Sequence, residues 1–324
     1  MSTRAFFRTA ILAAGLAGAF IHQPCAAAPD NDRPIRLVVP YPAGGGADGL
    51  ARLVGKRVAE ILSQPVVIEN KPGANTMLAS TDVARRAPDG LTLLYVASSF
   101  SINPSLYNVP YDTERDFVPV ALVAKVPLII IRNLDTPYAT LADLLAAAKA
   151  RPGRITFASY GQGSPAHLGG ELLESMAGVQ MKHIPYKGSS PALTDLMGGH
   201  VEIAFSSIEP ALQLLGAKKV APIAVMTRQR IPQLPDVPAV AETIPGFEAI
   251  GWNGIVAPKG TPAAVVGKLN AAINEALTSS EIREHLARQG VEPGALSPDA
   301  FGAMIRSEIA KWSAIVKTAN VKVE

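Results

Sequence analysis

The chain has 324 residues, which is enough for about two domains. Hydrophobic residues make up 48% and charged residues 18%, a balance that excludes a disordered chain, and 27 glycines without a triplet period exclude a collagen-like fibre. There are 30 Lys and Arg against 27 Asp and Glu, or 28 against 27 once Arg4 and Arg8 of the first 27 residues are set aside. No dense basic cluster remains, so nucleic-acid binding is not expected.

The first 27 residues have the features of a secretory signal peptide. Arg4 and Arg8 form a basic start, and an apolar run follows over 10–21. Cys25 and Ala27 are small residues at the two recognition positions, so we expect cleavage after Ala27 and a periplasmic product. The alternative is an uncleaved anchor, but the apolar run is too short to span a bilayer comfortably. Cys25 is the only cysteine, so the mature protein would contain no disulfide.

Apolar runs and helical patterns alternate along the rest of the chain. This alternation predicts an α/β fold with largely parallel sheets flanked by helices. The predicted strands cover 35–39, 66–68, 91–97, 128–131, 155–159, 181–185, 201–205 and 220–225. The predicted helices cover 50–62, 76–86, 140–149, 167–176, 190–197, 209–215, 261–278, 280–288 and 298–318.

Two further strand-like stretches, 118–125 and 250–257, separate the first and second sets of βα units. They predict that the chain leaves one lobe near residue 125 and returns near 250. We therefore expect a discontinuous lobe 1 over 33–124 and 251–324, and a lobe 2 over 125–250. A ligand cleft between two such lobes is the natural architecture.

Ligands of open α/β sheets bind beyond the carboxyl ends of the strands. Five loops follow predicted strands and are rich in Gly, Ser and Asn: 40–48, 69–75, 98–101, 159–167 and 186–190. In the fourth loop, Ser164 is a typical N-cap and Pro165 a typical first helical residue. The amides of Ala166 and His167 would then be available to a carboxylate, although an ordinary capped helix without a ligand fits the same pattern. Lys187 could offset ligand charge, or it could be a solvated loop lysine.

A rival interpretation comes from Gly44, Gly46 and Gly49, which match the G-x-G-x-x-G spacing of dinucleotide-binding loops. Glu69 lies 20 residues beyond Gly49, where that motif has its acidic residue. An exported enzyme with a nucleotide cofactor is therefore the alternative. The export signal argues against it, because soluble nicotinamide cofactors are scarce outside the cytoplasm.

Signals for catalysis or a metal are absent from the sequence. There is no thiol nucleophile beyond Cys25 and no G-x-S-x-G motif. The five histidines form no H-x-H or H-x-x-x-H pair. We therefore expect no catalytic residues, no metal and no cofactor.

An ordered series of motifs resembles the tripartite tricarboxylate transporter substrate-binding proteins, also called the Bug family of periplasmic receptors. The resemblance runs from about Arg33 to the C-terminus. Its motifs are Pro40-Tyr41-Pro42-Ala43-Gly44-Gly45 with Asp48, the stretch 66–74, Ala87-Pro88-Asp89-Gly90, Asn103-Pro104-Ser105-Leu106-Tyr107, Gly161-Gln162-Gly163-Ser164 with His167-Leu168, Pro185-Tyr186-Lys187-Gly188, Pro235-Asp236-Val237-Pro238, and Ala257-Pro258-Lys259-Gly260-Thr261-Pro262.

The resemblance implies a two-lobed type 2 periplasmic-binding fold, the "Venus flytrap", and a small carboxylate as ligand. A membrane permease and a sensor kinase both stay open as partners, and we expect a monomer. The sequence departs from the family at Asn75-Thr76, where the family often has glycines, and at Ser206-Ser207, where it often has Asp. Ligand identity is therefore the property that is hardest to transfer from the family to this chain. The expected ligand-binding residues, from the resemblance and the strand-end loops, are Tyr41, Ala43, Gly44, Gly45, Asp48, Asn75, Ser98, Ser99, Tyr160, Gly163, Ser164, Pro165, Ala166, His167, Lys187 and Ser206.

Lys187 and Lys71 are the only basic residues of the five loops apart from His167. A tricarboxylate would need more fixed positive charge, because each buried carboxylate is costly to desolvate. The sequence therefore favours a mono- or dicarboxylate over citrate.

Overall fold

The structure is a computed structural model that describes residues 33–321, in which ten strands form one mixed sheet flanked by helices. The predicted signal peptide, with its cleavage site and Cys25, lies outside the described residues. The strands are β1 Ile35–Val39, β2 Val66–Asn70, β3 Thr92–Ala97, β4 Phe117–Arg132, β5 Thr156–Ser159, β6 Lys182–Pro185, β7 Ile203–Ser207, β8 Ala221–Val225, β9 Ile250–Pro258 and β10 Glu292–Pro293.

The helices follow the predicted alternation. The described helices are α1 Gly46–Leu62, α2 Met77–Ala84, α3 Ser99–Leu106, α4 Leu141–Ala150, α5 Pro165–Ala177, α6 Ser189–Met197, α7 Ile208–Gly216, α8 Val240–Thr243, α9 Ala263–Ala276, α10 Ser280–Arg288 and α11 Pro298–Thr318, with a short 3₁₀ turn at Ala74–Thr76 before α2. Within this part of the chain, no helix combines the length and the apolar character needed to cross a membrane.

The main path of the sheet runs β2-β1-β3-β9-β4-β7-β5-β6, with β8 and β10 also paired to β4. The βα units pair in parallel as predicted, β1 with β2 and β3, and β5 with β6 and β7. The pairings of β4 and β9 are antiparallel. The sheet is therefore mixed, because the two crossing strands run against their neighbours.

Strand β4 fuses two predicted strands into one run of 16 residues. Its first part, 117–127, pairs with β9, and its last part, 128–132, pairs with β7 and β8. The run Leu128–Ile131 is completely buried, as expected of a strand covered on both faces. One strand thus connects the two sets of βα units near the predicted crossing. Contacts join the described residues into one compact unit, so the lobe boundaries remain a prediction.

Glycines inside elements permit close packing near the strand ends. A Cβ on Gly169 of α5 would lie 2.6 Å from Met226 Cε, and one on Gly170 would lie 2.8 Å from Phe157 Cε2. These two glycines therefore let α5 lie directly on the sheet, which places the start of the helix at the end of β5. In β9, the Phe301 ring of α11 occupies the space where Gly254 would carry a side chain.

Helix α3 was not predicted, and its sequence explains why. Pro104 lies within it, and proline disfavours a helix interior because it lacks an N–H and crowds the carbonyl four residues back. That carbonyl belongs to Phe100, and it accepts a hydrogen bond from Thr113 Oγ1 at 3.3 Å. A contact from outside the helix thus satisfies the group that Pro104 leaves unpaired.

Candidate functional site

A cavity of about 380 Å³ opens where the strand-end loops meet the crossing strand β9. This volume falls in the range of about 300–1,000 Å³ that is typical of small-molecule sites. Its lining comes from both sets of βα units and from the end of α10. The lining residues are Tyr41, Gly46, Ala47, Leu50, Asn75, Ala97, Ser98, Ser99, Val126, Tyr160, Gly161, Gln162, Gly163, Ser164, Pro165, Ser207, Glu209, Gly251, Trp252, Asn253, Gln289 and Val291.

The loop after β1 is held in place by Asp48, which is 2% exposed. Its carboxylate accepts hydrogen bonds from Arg52 Nε at 2.9 Å, Gly44 N at 2.9 Å and Asn70 Nδ2 at 2.8 Å. These bonds, with that from Arg52 first, lower the pKa of Asp48 to about 2. Asn70 also donates to the Tyr41 carbonyl at 3.1 Å. Asp48 is thus built into the loop and positions Tyr41, which lines the cavity.

The loop after β5 leads into α5 as the sequence predicted. Ser164 is the N-cap, Pro165 begins the helix, and Ser164 Oγ accepts from the His167 amide at 3.2 Å. That amide therefore has a partner within the loop, and the Ala166 amide, the second predicted donor, donates to the Tyr160 hydroxyl.

His167 lies 3% exposed behind this loop. Its Nδ1 accepts a hydrogen bond from the Gly163 amide at 3.0 Å, and its Nε2 lies 3.3 Å from Glu171 Oε1. Its ring stacks on His183 with centroids 3.8 Å apart. Burial lowers the pKa of His183 to about 3, so that ring stays neutral at neutral pH. Here His167 ties the glycine-containing loop to the first turn of α5.

Two tyrosines line the cavity, one from each set of βα units. Tyr41 follows β1, and Tyr160 follows β5. Burial raises the pKa of Tyr41, and it raises the pKa of Tyr160 to about 12. Both hydroxyls therefore keep their protons at neutral pH and can donate hydrogen bonds to an anion.

Two residues of the cavity lining carry buried polar side-chain atoms. Trp252 of β9 is 1% exposed, and among the described residues its Nε1 has no hydrogen-bond partner, whereas the buried Oγ of Ser99 lies beside the Tyr41 hydroxyl. An indole N–H can only donate, and a buried donor without a partner carries a free-energy cost of about 1–3 kcal/mol.

The loop after β2 is strained where it reaches the cavity. Ala74, Asn75 and Thr76 adopt φ values of 45°, 47° and 73°, which are unfavourable for residues with a Cβ. Asn103 of α3 holds this turn: it donates to the Asn75 carbonyl at 2.8 Å and accepts from Asn75 Nδ2 at 2.7 Å. Strain of this kind persists where surrounding contacts enforce it, often beside a ligand.

The cavity carries an unexpected charge. Among the described lining residues, Glu209 is the one charged side chain, and it is half-buried. It lies in the first turn of α7, and its Oε2 is 3.5 Å from the point where a Cβ on Gly46 would stand. The start of α1 therefore faces a carboxylate of the chain itself.

Half of the predicted site residues line the cavity: Tyr41, Asn75, Ser98, Ser99, Tyr160, Gly163, Ser164 and Pro165. Of the others, Asp48, Ala166, His167 and Ser206 are buried behind the lining, and Ala43, Gly44, Gly45 and Lys187 are exposed beside it. Whether these sixteen residues bind ligand stays a prediction.

The lining also contains residues that were not among the sixteen predicted, including Glu209, Gly251, Asn253, Gln289 and Val291. Glu209 follows β7 directly, so the strand-end rule could have found it. Asn253 lies inside an antiparallel strand and Gln289 at a helix end, positions that the rule does not cover.

The acidic residue that a dinucleotide-binding loop would use is paired with an arginine. Glu69, which would contact a ribose, is engaged by Arg36, whose Nε lies 3.1 Å from Glu69 Oε2. In the described chain, no group of three or more His, Cys, Asp or Glu is arranged to hold a metal ion.

Comparison with known proteins identifies the family. Residues 50–321 match the model of the tripartite tricarboxylate transporter family receptor. The chain is 36% identical over 322 residues to protein BugT of Bordetella pertussis, covering 97% of this chain and 98% of that protein. It is 35% identical to the R. palustris protein Rpa4515, solved with adipate, with a TM-score of 0.78 and coverage of 90% and 98%.

A second solved structure with a named ligand is MatC of Rhodopseudomonas palustris, with bound malate; it is 33% identical, with a TM-score of 0.73 and coverage of 88% and 99%. These likenesses confirm the fold expected from the sequence, that of periplasmic binding proteins, and they favour a receptor over the enzyme alternative. The chain belongs to the tripartite tricarboxylate transporter family receptors, a family of periplasmic solute-binding proteins.

Proposed function

We propose that this receptor captures one small organic carboxylate in the cavity between β9 and the start of α5. The observation that carries the proposal is a cavity of about 380 Å³ that brings together the Ser164–Pro165 start of α5 and two protonated tyrosines, Tyr41 and Tyr160. Solved relatives with adipate and malate support this ligand class.

The carboxylate is held by neutral donors. The donors would be the hydroxyls of Ser99 and Tyr160 and the Ala166 amide at the start of α5. A ligand carboxylate would replace the contacts that Ser99 makes with Tyr41 and that Ala166 makes with Tyr160. The positive end of the α5 dipole adds to their effect. Because no Lys or Arg lies among the described lining residues, a mono- or dicarboxylate fits better than citrate.

The proposed mechanism is binding and closure without chemistry. The proposed lobes, 33–124 with 251–324 and 125–250, would both contact the ligand, so the closed state would have the higher affinity. The closed form would then dock on a membrane permease or, as the second candidate, on a sensor kinase. We expect the receptor to act in the periplasm as a monomer after cleavage following Ala27. N-terminal sequencing of periplasmic protein should give Ala28 first, and an intact Met1 on a cytoplasmic product would contradict this.

Thermal shift screening tests the ligand class. Mature protein is heated with succinate, glutamate, nicotinate, benzoate, citrate or NAD. At least one mono- or dicarboxylate should raise the midpoint of unfolding in a saturable manner, because ligand binds the folded state only. A rise with NAD alone would support the enzyme alternative instead, and stabilisation by citrate above all others would contradict the expected ligand charge.

A further inference from the structure

The cavity carries a negative charge, whereas a site for dianions needs positive charge. Glu209 is its one charged residue among those described, and the lining contains no Lys, Arg or His. No ion-pair or hydrogen-bond partner of the Glu209 carboxylate is found among the described residues. A half-buried carboxylate without a cation is thus part of a site proposed to receive another carboxylate.

The carboxylate of Glu209 lies at the start of α1. Its Oε2 is 3.5 Å from the place of a Cβ on Gly46, the first residue of α1. Glu209 itself is the second residue of α7. Its charge therefore lies near the amino ends of two helices, where helix dipoles favour an anion. The start of α1 is consequently covered by the protein's own carboxylate, and the start of α5 is left for the carboxylate of a ligand.

A second ligand carboxylate on this side would face Glu209 in a partly desolvated space, where like charges repel more strongly than in water. An ammonium group in the same position would instead form a charge-assisted hydrogen bond with Glu209. The same cavity therefore discriminates between two ligands of equal size according to the charge of the group that points to α7.

We propose that Glu209 is a specificity-determining residue that selects ligands combining one carboxylate with an α-ammonium group, that is, amino-acid-type zwitterions, over dicarboxylates of the same length. The inference rests on the proposed function and narrows its ligand class. The carboxylate binds at the start of α5, and the ammonium group binds to Glu209 between α7 and α1.

The competing explanation is that Glu209 only stabilises α7 as a first-turn acid. Glu281 provides a matched control, because it is likewise the second residue of its helix, α10, is exposed and lies outside the cavity lining. Replacing either residue with Gln removes the same interaction with a helix dipole, and only Glu209→Gln changes the cavity.

Calorimetric titration uses ligand pairs that differ only in the ammonium group: succinate and aspartate, glutarate and glutamate, propionate and alanine, 3-phenylpropionate and phenylalanine. For the pair that fits the cavity, wild-type protein should bind the ammonium-bearing member at least about tenfold more tightly. Glu209→Gln should weaken that member about tenfold and strengthen its partner if the partner is a dicarboxylate. Glu281→Gln should leave both affinities unchanged.

Two outcomes would overturn the inference in distinguishable ways. Wild-type preference for the dicarboxylate, or a ratio of affinities that Glu209→Gln leaves unchanged, would refute the role of Glu209 and leave the proposed function standing. Failure of every member of the four pairs to bind, with the thermal shift panel also negative, would refute both.

Discussion

Ser98 and Trp252 hydrogen-bond to each other in both directions. The Trp252 amide donates to Ser98 Oγ at 2.9 Å, and the Ser98 amide donates to the Trp252 carbonyl at 3.1 Å. The pair joins the end of β3 to β9, and the Phe301 ring packs edge-on against the indole with centroids 5.6 Å apart. Trp252, a residue of the cavity lining, is therefore held in place by its backbone and its ring, and we expect ligand binding to change the environment of the ring.

Tryptophan fluorescence should report this change. The chain has two tryptophans, and the second, Trp312, is fully buried and donates to Glu308 Oε2 at 2.7 Å outside the cavity lining. A binding carboxylate should shift the emission of wild-type protein in a saturable manner. The response should survive in Trp312→Phe and vanish in Trp252→Phe. A response that persists without Trp252 would place the ligand elsewhere.

Replacing Ser164 with Ala should weaken both the α5 cap and the site. The change removes the acceptor of the His167 amide and a hydroxyl from the lining. We expect the free energy of unfolding to fall by about 1 kcal/mol and ligand affinity to fall at least about fivefold. Urea unfolding and calorimetric titration measure the two effects.

The matched control for that experiment is Ser297→Ala. Ser297 caps α11 in the same way, with Pro298 next in the chain and Oγ accepting from the Ala300 amide at 3.2 Å, but it does not line the cavity. It should lose similar stability and keep its affinity. If both variants bind as tightly as wild type, the carboxylate does not bind at the start of α5.

The contribution of Asp48 to stability should depend on pH. Its pKa is lowered to about 2 by the bonds from Arg52, Gly44 and Asn70, so its stabilising effect is complete above the usual Asp pKa of about 4. The effect is lost as pH falls from about 4 to 2. We expect Asp48→Asn to cost about 2 kcal/mol at pH 7 and progressively less below pH 4.

Unfolding in urea from pH 7 down to pH 3 tests this, with Asp135→Asn as a control because Asp135 is exposed. The control should follow wild type at every pH. A constant difference between Asp48→Asn and wild type across the range would show that the charge of Asp48 is not what stabilises the loop.

Much of this architecture could be predicted from local patterns. Strand β1, the Ser164-Pro165 start of α5 and the start of α11 at Pro298 lie where the sequence predicts them, because apolar runs and caps are local signals. Helix α3 was missed because Pro104 opposes it and a remote contact from Thr113 compensates.

The candidate site was less predictable than the fold. Glu209 reaches the cavity only because α7 lies opposite the start of α1, a relation between elements that are 146 residues or more apart in the chain. The positive φ angles at Asn75 and Thr76 accompany hydrogen bonds to the remote Asn103. No local pattern encodes such contacts.

Ligand binding should make the molecule more compact if the two proposed lobes close. The chain crosses between them in β4 and β9, and these two strands would act as the hinge. Small-angle X-ray scattering of mature protein should give a smaller radius of gyration at saturating ligand. Ser164→Ala, at a ligand concentration below its weakened dissociation constant, should keep the larger radius. An identical radius with and without saturating ligand would argue against closure.

The most direct measurement is a crystal structure of the mature protein with the carboxylate that binds most tightly in the thermal shift and titration experiments. The account predicts that a carboxylate group lies in the cavity at the start of α5, within hydrogen-bonding distance of the Ala166 amide and of the hydroxyl of Tyr160 or Ser99. A ligand bound outside this cavity, or inside it but away from the start of α5, would contradict the account.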